Sequence, residues 1–189
     1  MEQGTQTGRK GLALELTETE TAHLARIDFN PSERSHDANT WPVIADAMEE
    51  LTRSLLKRGA VPEARRRYIG DAEYNIGGHG SSRQQIIERN GRGTPMLRNP
   101  AFLKHLHYFL YGPDLPEDVI ESFKRKVRAC GKPFTGSDGL EMADHARQLT
   151  RSCGLDIHKA TNEFYKLALD CGLDAGDARS VRDTVMRTR

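Results

Sequence analysis

A four-residue sequence, Cys-Gly-Leu-Asp, occurs twice in the last third of the chain, at residues 153–156 and 171–174. In each copy the glycine suits the left-handed conformation that ends a helix. The aspartate suits the position that accepts hydrogen bonds from the first N–H groups of the next helix. The leucine between them adds an apolar contact at the turn. The repeat therefore predicts one helix-turn-helix joint used twice, although two copies are too few for a solenoid.

Apolar residues at helical spacing predict further helices along the chain. Residues 12–29 alternate like a strand at first and then follow a helical pattern, and we favour a helix there. Residues 70–81 contain Gly70, Asn75, Gly77, Gly78 and Gly80 and predict a glycine-rich loop. The remaining helices are expected to begin at about Thr40, Pro62, Ser81 or Ser82, Pro100, Pro116, Ser137 or Asp138, Asp156 and Asp174.

The sequence thus predicts an all-α fold, a compact bundle of seven to eight short antiparallel helices. Residues 1–11 are polar throughout and are expected to form a disordered tail. Residues 12–115 would form an N-terminal helical region that includes the loop 70–81. Residues 116–189 would form a C-terminal four-helix region packed with it as one domain.

The chain carries no apolar stretch long enough for a signal peptide or a membrane span. Its three cysteines, Cys130, Cys153 and Cys171, are widely spaced, and each is followed by glycine. This spacing favours a reducing, cytoplasmic location and cysteines that pack as small apolar residues at helix ends, each before a left-handed glycine. We expect no metal site and no cofactor, because neither CxxC nor HExxH spacing is present.

The formal net charge of +1 conceals an uneven distribution. Residues 1–56 carry 5 basic and 10 acidic side chains, whereas residues 57–132 carry 15 basic and 8 acidic ones. The near-neutral total excludes a uniformly basic nucleic-acid coat protein. It leaves open a local anion-binding site in the middle of the chain.

The sharpest functional prediction is a phosphate-binding segment between Arg65 and Arg92. Arginine presents a planar set of donors suited to phosphate oxygens, and glycine lets the backbone approach a ligand closely. The partner would be a nucleic acid or a nucleotide, and the protein would be a non-catalytic binding or regulatory protein. The candidate ligand-binding residues are Arg65, Arg66, Arg67, Gly78, His79, Gly80, Ser81, Arg83 and Arg92.

A second basic cluster, Lys124-Arg125-Lys126 with Arg128, lies on the helix from Pro116. Glu121 and Arg125 are four residues apart, so part of this cluster can be a solvated, self-paired helix face.

Two other functions remain open. The chain could be a protein-protein adaptor or a self-associating regulatory subunit anchored by Trp41, Tyr108 and Phe109, although these aromatic residues could equally belong to the core. It could also be a small hydrolase or transferase acting on a phosphorylated substrate. His79 is the one catalytic candidate, with Asp71 and Glu73 as possible Mg²⁺ ligands.

Overall fold

The computed structural model describes residues 14–27, 40–77 and 100–187. Within these ranges the chain forms eight α-helices, one 3₁₀ turn and no β-strand, which confirms the predicted all-α fold. The chain divides into two compact units, Met1–Gly112 (unit 1) and Pro113–Arg189 (unit 2). That the N-terminal and C-terminal regions pack as one domain stays a prediction. The expected tail, residues 1–11, lies outside the described residues.

Unit 1 contains four α-helices and the 3₁₀ turn. They are α1 (Glu18–Ile27), α2 (Thr40–Lys57), the 3₁₀ turn (Glu63–Arg65), α3 (Arg66–Gly77) and α4 (Pro100–Tyr111). The helix expected from residue 40 is confirmed, since its apolar stripe is buried in the core of unit 1. The larger core residues are Ile27, Ile44, Met48, Leu51, Leu55, Tyr68, Ile69, Leu106, Tyr108, Phe109 and Leu110.

A buried carboxylate holds α1 against α2. The Thr17 and Glu20 side chains form a capping box at the start of α1, with N···O distances of 3.2 and 3.0 Å. The Glu20 carboxylate also accepts a bond of 2.6 Å from the Ser54 hydroxyl and two bonds of 2.8 Å from the Arg58 guanidinium. A helix is thus confirmed within residues 12–29, whereas residues 14–17 have no regular structure.

The loop expected at residues 70–81 is wrong over residues 70–77, which continue α3. Glycine weakens a helix by about 1 kcal/mol relative to alanine. Burial of Tyr68, Ile69 and Ala72, one stripe of α3, outweighs that cost. The helix expected at Pro62 is a 3₁₀ turn that leads into α3. Residues 78–99, with the rest of the predicted loop and the helix capped by Ser81 or Ser82, lie outside the described residues.

Unit 2 contains α5 (Glu117–Ala129), α6 (Gly136–Ser152), α7 (Ile157–Asp170) and α8 (Ala175–Arg187). Its core includes Phe123, Met142, Phe164, Leu167 and Val181, among other buried residues. The Phe123 and Phe164 rings lie with their centroids 4.6 Å apart. The four helices expected in the C-terminal region are therefore present.

Both Cys-Gly-Leu-Asp joints have the predicted geometry. Gly154 and Gly172 have φ angles of 61° and 88°. The N–H group of the following leucine donates to a carbonyl five residues earlier, at 3.0 Å in both joints, which is the Schellman pattern. Asp156 accepts a bond of 2.8 Å from the Lys159 N–H group, and Asp174 accepts one of 2.7 Å from Gly176.

Three details differ from the predictions. Cys130 ends α5 in an extended conformation, with φ −67° and ψ 144°, and Gly131 does not adopt positive φ. Cys153 is exposed rather than packed. Helix α6 begins at Gly136, since Thr135 is its N-cap and Asp138 completes the capping box from inside the helix.

Candidate anion-binding site

Two arginines of the predicted phosphate-binding segment lie over a pair of tyrosine rings in unit 1. The Arg65 guanidinium carbon is 5.8 Å from the centroid of the Tyr108 ring, and that of Arg67 is 5.2 Å from the Tyr68 ring. The two rings are 4.5 Å apart, and each residue is only 1% exposed. Both guanidiniums therefore rest on the same buried aromatic pair, within cation-π range.

A histidine that was not among the predicted ligand-binding residues joins this group. The His105 imidazole stacks on Tyr68 at an interplanar angle of 17° and a centroid distance of 6.3 Å. His107, two residues further along α4, contacts Tyr111 instead, at 5.0 Å. The helical repeat separates these two histidines, as expected from their spacing.

Arg66 does not share the aromatic support of its two neighbours. Its Nε donates to Glu63 Oε1 at 2.6 Å, and both side chains are well exposed. The run Arg65–Arg67 therefore presents two stacked guanidiniums and one exposed, paired guanidinium. Exposed pairs of this kind contribute little stability, so Glu63 can be displaced from Arg66 by a competing anion.

The last residue of unit 1 lies close to Arg65. Gly112 has φ 75°, and a Cβ atom at this position would lie 2.5 Å from Arg65 Nη2. Glycine is therefore required for both the backbone conformation and the close approach. The sequence showed Gly112 only as a helix terminator and gave no sign of this contact.

Arg65 lies close to Gly112, and Tyr68 contacts His105 and Tyr108 earlier in α4, so α3 and α4 are antiparallel. Helix α3 is about 18 Å long. Gly77 and Pro100, where the described chain breaks off and resumes, therefore lie at the opposite end of the pair from Arg65–Arg67. Six predicted ligand-binding residues lie outside the described residues, namely Gly78, His79, Gly80, Ser81, Arg83 and Arg92.

The chain matches no protein-family model, no curated protein and no solved structure.

The predicted protein-interaction residues are not available as a set. Tyr108 and Phe109 are buried in the core of unit 1, at 1% and 0% exposure. They do not form an exposed anchor, and the alternative prediction of core packing is confirmed for both. The Trp41 side chain lies outside the described residues, although its backbone belongs to the first turn of α2.

No catalytic arrangement emerges from the part of the chain that the structure describes. Asp71 lies on α3, whereas the Glu73 side chain lies outside the described residues, so the predicted Mg²⁺ site at Asp71 and Glu73 stays a prediction. Residues 14–27, 40–77 and 100–187 contain no metal-binding group of three or more His, Cys, Asp or Glu side chains. Within the same ranges, no helix is both long enough and apolar enough to cross a membrane.

A Ser-His contact in unit 2 was missed at the sequence level. The Ser122 hydroxyl on α5 lies 3.1 Å from His145 Nε2 on α6. Burial lowers the pKa of His145 below its ordinary value. In the described part of the chain no carboxylate hydrogen-bonds to this imidazole, so the pair lacks the third group that orients a catalytic base. Twenty-three residues separate Ser122 from His145, and only the pairing of α5 with α6 brings them together.

Proposed function

We propose that this protein is a non-catalytic, cytoplasmic binding protein that engages a phosphate-bearing partner, a nucleic acid or a nucleotide, through the segment Arg65–Arg92. The observation that supports the proposal is the stacking of Arg65 and Arg67 on the Tyr108–Tyr68 pair, with His105 on the same rings.

Stacking bears on phosphate recognition because it restricts each guanidinium to the plane of a ring. A guanidinium whose face lies on a ring keeps its N–H groups along its edge, in the plane from which oxygen acceptors approach. Less side-chain entropy is then lost when an oxyanion binds. Arg66, exposed beside them, adds a third charge that requires no rearrangement of the core.

The test is binding of a fluorescein-labelled 20-nucleotide single strand, and separately of labelled ATP, measured by fluorescence anisotropy over a range of salt concentrations. For a single strand the logarithm of the affinity falls with the logarithm of salt concentration by about 0.7 per phosphate contact. Replacing Arg65, Arg66 and Arg67 together by Ala is expected to weaken salt-sensitive binding and to reduce this slope by about 2.

A matched control removes three exposed charges elsewhere in unit 1, through Arg26→Ala, Arg53→Ala and Lys57→Ala. This variant should retain nearly all of the binding. The triple Arg→Ala change also removes the guanidinium groups that cover the Tyr68 and Tyr108 rings. The single Arg66→Ala variant therefore tests the charge without disturbing the core. Unchanged affinity and slope in both arginine variants would refute the proposal.

The other two predicted functions have less support. For the adaptor function, Tyr108 and Phe109 are buried in the core and cannot serve as anchors, so Trp41 is the remaining candidate. The hydrolase or transferase function depends on His79 and on a Mg²⁺ site at Asp71 and Glu73, and both His79 and the Glu73 side chain lie outside the described residues.

A further inference from the structure

Unit 2 has a basic surface of its own on the second half of α5. Positions 121, 124, 125 and 128 recur at intervals of three and four and lie on one side of the helix. The opposite side buries Val119, Phe123 and Val127 in the core. We call Lys124, Arg125 and Arg128 the α5 basic face.

The ion pairs of unit 2 leave two of these charges without a carboxylate in direct contact among the described residues. Glu121 pairs with Lys124 at 2.8 Å rather than with Arg125, and Lys126 is turned toward α6, where it pairs with Glu141 at 2.7 Å. Arg125 and Arg128 are exposed, and neither forms an ion pair with any residue in the ranges that the structure covers. Two exposed like charges thus stand one turn apart beside a third.

The field of this face extends over the end of α7. Burial raises the pKa of the Cys171 thiol, and the positive charges of Arg128 and Lys124 oppose that rise. The face therefore acts electrostatically on the first residue of the second Cys-Gly-Leu-Asp joint.

The composition of the face indicates what kind of partner it fits. A stable protein interface requires a desolvated apolar centre, usually with aromatic anchors. The four outward positions of α5 are all charged, and the exposed large apolar residues of unit 2, Leu140, Ile157 and Met186, lie on other helices. A phosphate backbone, in contrast, can be bound by cations without an apolar centre. The helical rise from Lys124 to Arg128 is about 6 Å, which lets the face span neighbouring phosphates.

We propose that the α5 basic face binds the sugar-phosphate backbone of a nucleic acid, independently of Arg65–Arg67. The inferred contact is made to the backbone, where cations bind phosphates whatever the base sequence. A polymer, rather than a mononucleotide, is the ligand that such a row of charges can engage at several points.

The test uses the full chain and a fluorescein-labelled 20-nucleotide oligothymidylate at about 50 mM salt. The double variant Arg125→Gln/Arg128→Gln is expected to bind about tenfold more weakly, with the salt slope reduced by about 1.4. The control variant Arg151→Gln/Arg179→Gln removes two exposed arginines from α6 and α8 with the same change in net charge. It should bind within twofold of the wild type.

Three results would overturn the inference. The first is equal weakening in both double variants, which would indicate a nonspecific charge effect. The second is unchanged oligonucleotide binding with a lowered melting temperature. That result would mean that Arg125 and Arg128 only stabilise the C-terminal end of α5 through the helix dipole. The third is competition by a poly-glutamate peptide as effective as by unlabelled oligonucleotide, which would identify an acidic protein as the partner.

A charge-preserving variant tests whether a loss of binding results from misfolding rather than from the missing charges. Arg125→Lys/Arg128→Lys should keep at least half of the binding, because backbone contacts of this kind depend on charge more than on a planar fork. The Arg65–Arg67 variants separate this inference from the proposed function. If unit 1 makes no phosphate contact, those variants bind normally while Arg125→Gln/Arg128→Gln still loses affinity.

Discussion

Glu20 has a fully buried carboxylate, and its partners come from two distances along the chain. Thr17, three residues away, forms a capping box that is visible in the sequence as Thr-x-x-Glu. Ser54 and Arg58 are 34 and 38 residues away, and only the packing of α1 on α2 brings them to Glu20. Sequence patterns thus reveal the local half of this network and not the half that joins two helices.

Glu20→Gln is expected to destabilise the protein by about 2–3 kcal/mol, because it leaves Arg58 and Ser54 without a charged acceptor. The control is Glu49→Gln, which breaks an exposed pair with Arg53 at 2.7 Å and should cost no more than about 0.5 kcal/mol. Urea unfolding followed by circular dichroism measures both. Equal effects would show that the buried network contributes nothing beyond a surface pair.

The same carboxylate predicts acid sensitivity. The Arg58 hydrogen bonds lower the pKa of Glu20 from 4.5 to about 2, although burial opposes this effect. A carboxylate with a lowered pKa stabilises the folded state fully above pH 4.5, and this contribution is lost as the pH falls toward 2. The stability difference between wild type and Glu20→Gln should therefore shrink between pH 4.5 and 2. A difference that does not change with pH would contradict this.

Alanine substitutions at Gly112 and Gly59 separate the effect of backbone strain from the effect of contact with Arg65. Both have positive φ, 75° and 70°, so alanine should cost about 1 kcal/mol at either position. A Cβ at Gly112 also meets the Arg65 guanidinium, whereas one at Gly59 meets no atom within 4 Å. Gly112→Ala should therefore weaken oligonucleotide binding by displacing Arg65, and Gly59→Ala should not. Equal binding by the two variants would remove Arg65 from the site.

At the scale of the helices, capping and terminating residues such as glycine, proline and aspartate predicted helix ends well and helix interiors less well. The Cys-Gly-Leu-Asp joints were predictable because a left-handed glycine and an acidic cap act within five residues of sequence. The end of α3 was predicted too early because Gly70, Asn75 and Gly77 are typical of a loop. Its helical state depends on burying Tyr68 and Ala72, with Tyr68 packed against α4, which no local pattern reveals.

The joints predict equal sensitivity of unit 2 to two substitutions. Gly154→Ala and Gly172→Ala should each cost about 1 kcal/mol, since both glycines have positive φ and neither is crowded. Gly136→Ala is the matched control. It lies in the first turn of α6 with open space around it, so alanine should be neutral or slightly stabilising there. Thermal unfolding of the three variants checks this, and tolerance of alanine at both joints would contradict the turn geometry.

The α5–α6 contact predicts a second pH effect. Since burial lowers the pKa of His145 from 6.5, unfolding takes up a proton below that pH. The stabilising contribution of neutral His145 is present above pH 6.5 and is lost as the pH falls through its folded-state pKa. His145→Gln retains a polar group near Ser122 but cannot titrate, so its melting temperature should fall less on acidification. The exposed His158→Gln is the control and should follow the wild type.

At the scale of the whole molecule, the charge distribution seen in the sequence does not follow the structural division. The basic stretch, residues 57–132, crosses the boundary at Gly112 and Pro113. Arg65–Arg67 belong to unit 1, whereas Lys124, Arg125 and Arg128 belong to unit 2. Sequence composition revealed the excess of positive charge but not its partition, because the boundary depends on which helices share a core.

Each unit has a separate buried core, so damage to one should remain local. Leu51→Ala is expected to raise amide hydrogen exchange in unit 1, and Phe164→Ala in unit 2, because each removes a fully buried side chain and leaves a cavity. Hydrogen exchange followed by mass spectrometry resolves the two ranges. Loss of protection in both units after either substitution would show that they unfold together.

The exposed position of Cys153 makes the first joint of unit 2 chemically addressable. Cys130 and Cys171 are half-buried, and burial raises the pKa of both thiols, which keeps them protonated and slow to react near neutral pH. A maleimide fluorophore or spin label should therefore attach first to Cys153 in the unmodified chain. The turn between α6 and α7 can thus carry a spectroscopic reporter without any engineered cysteine.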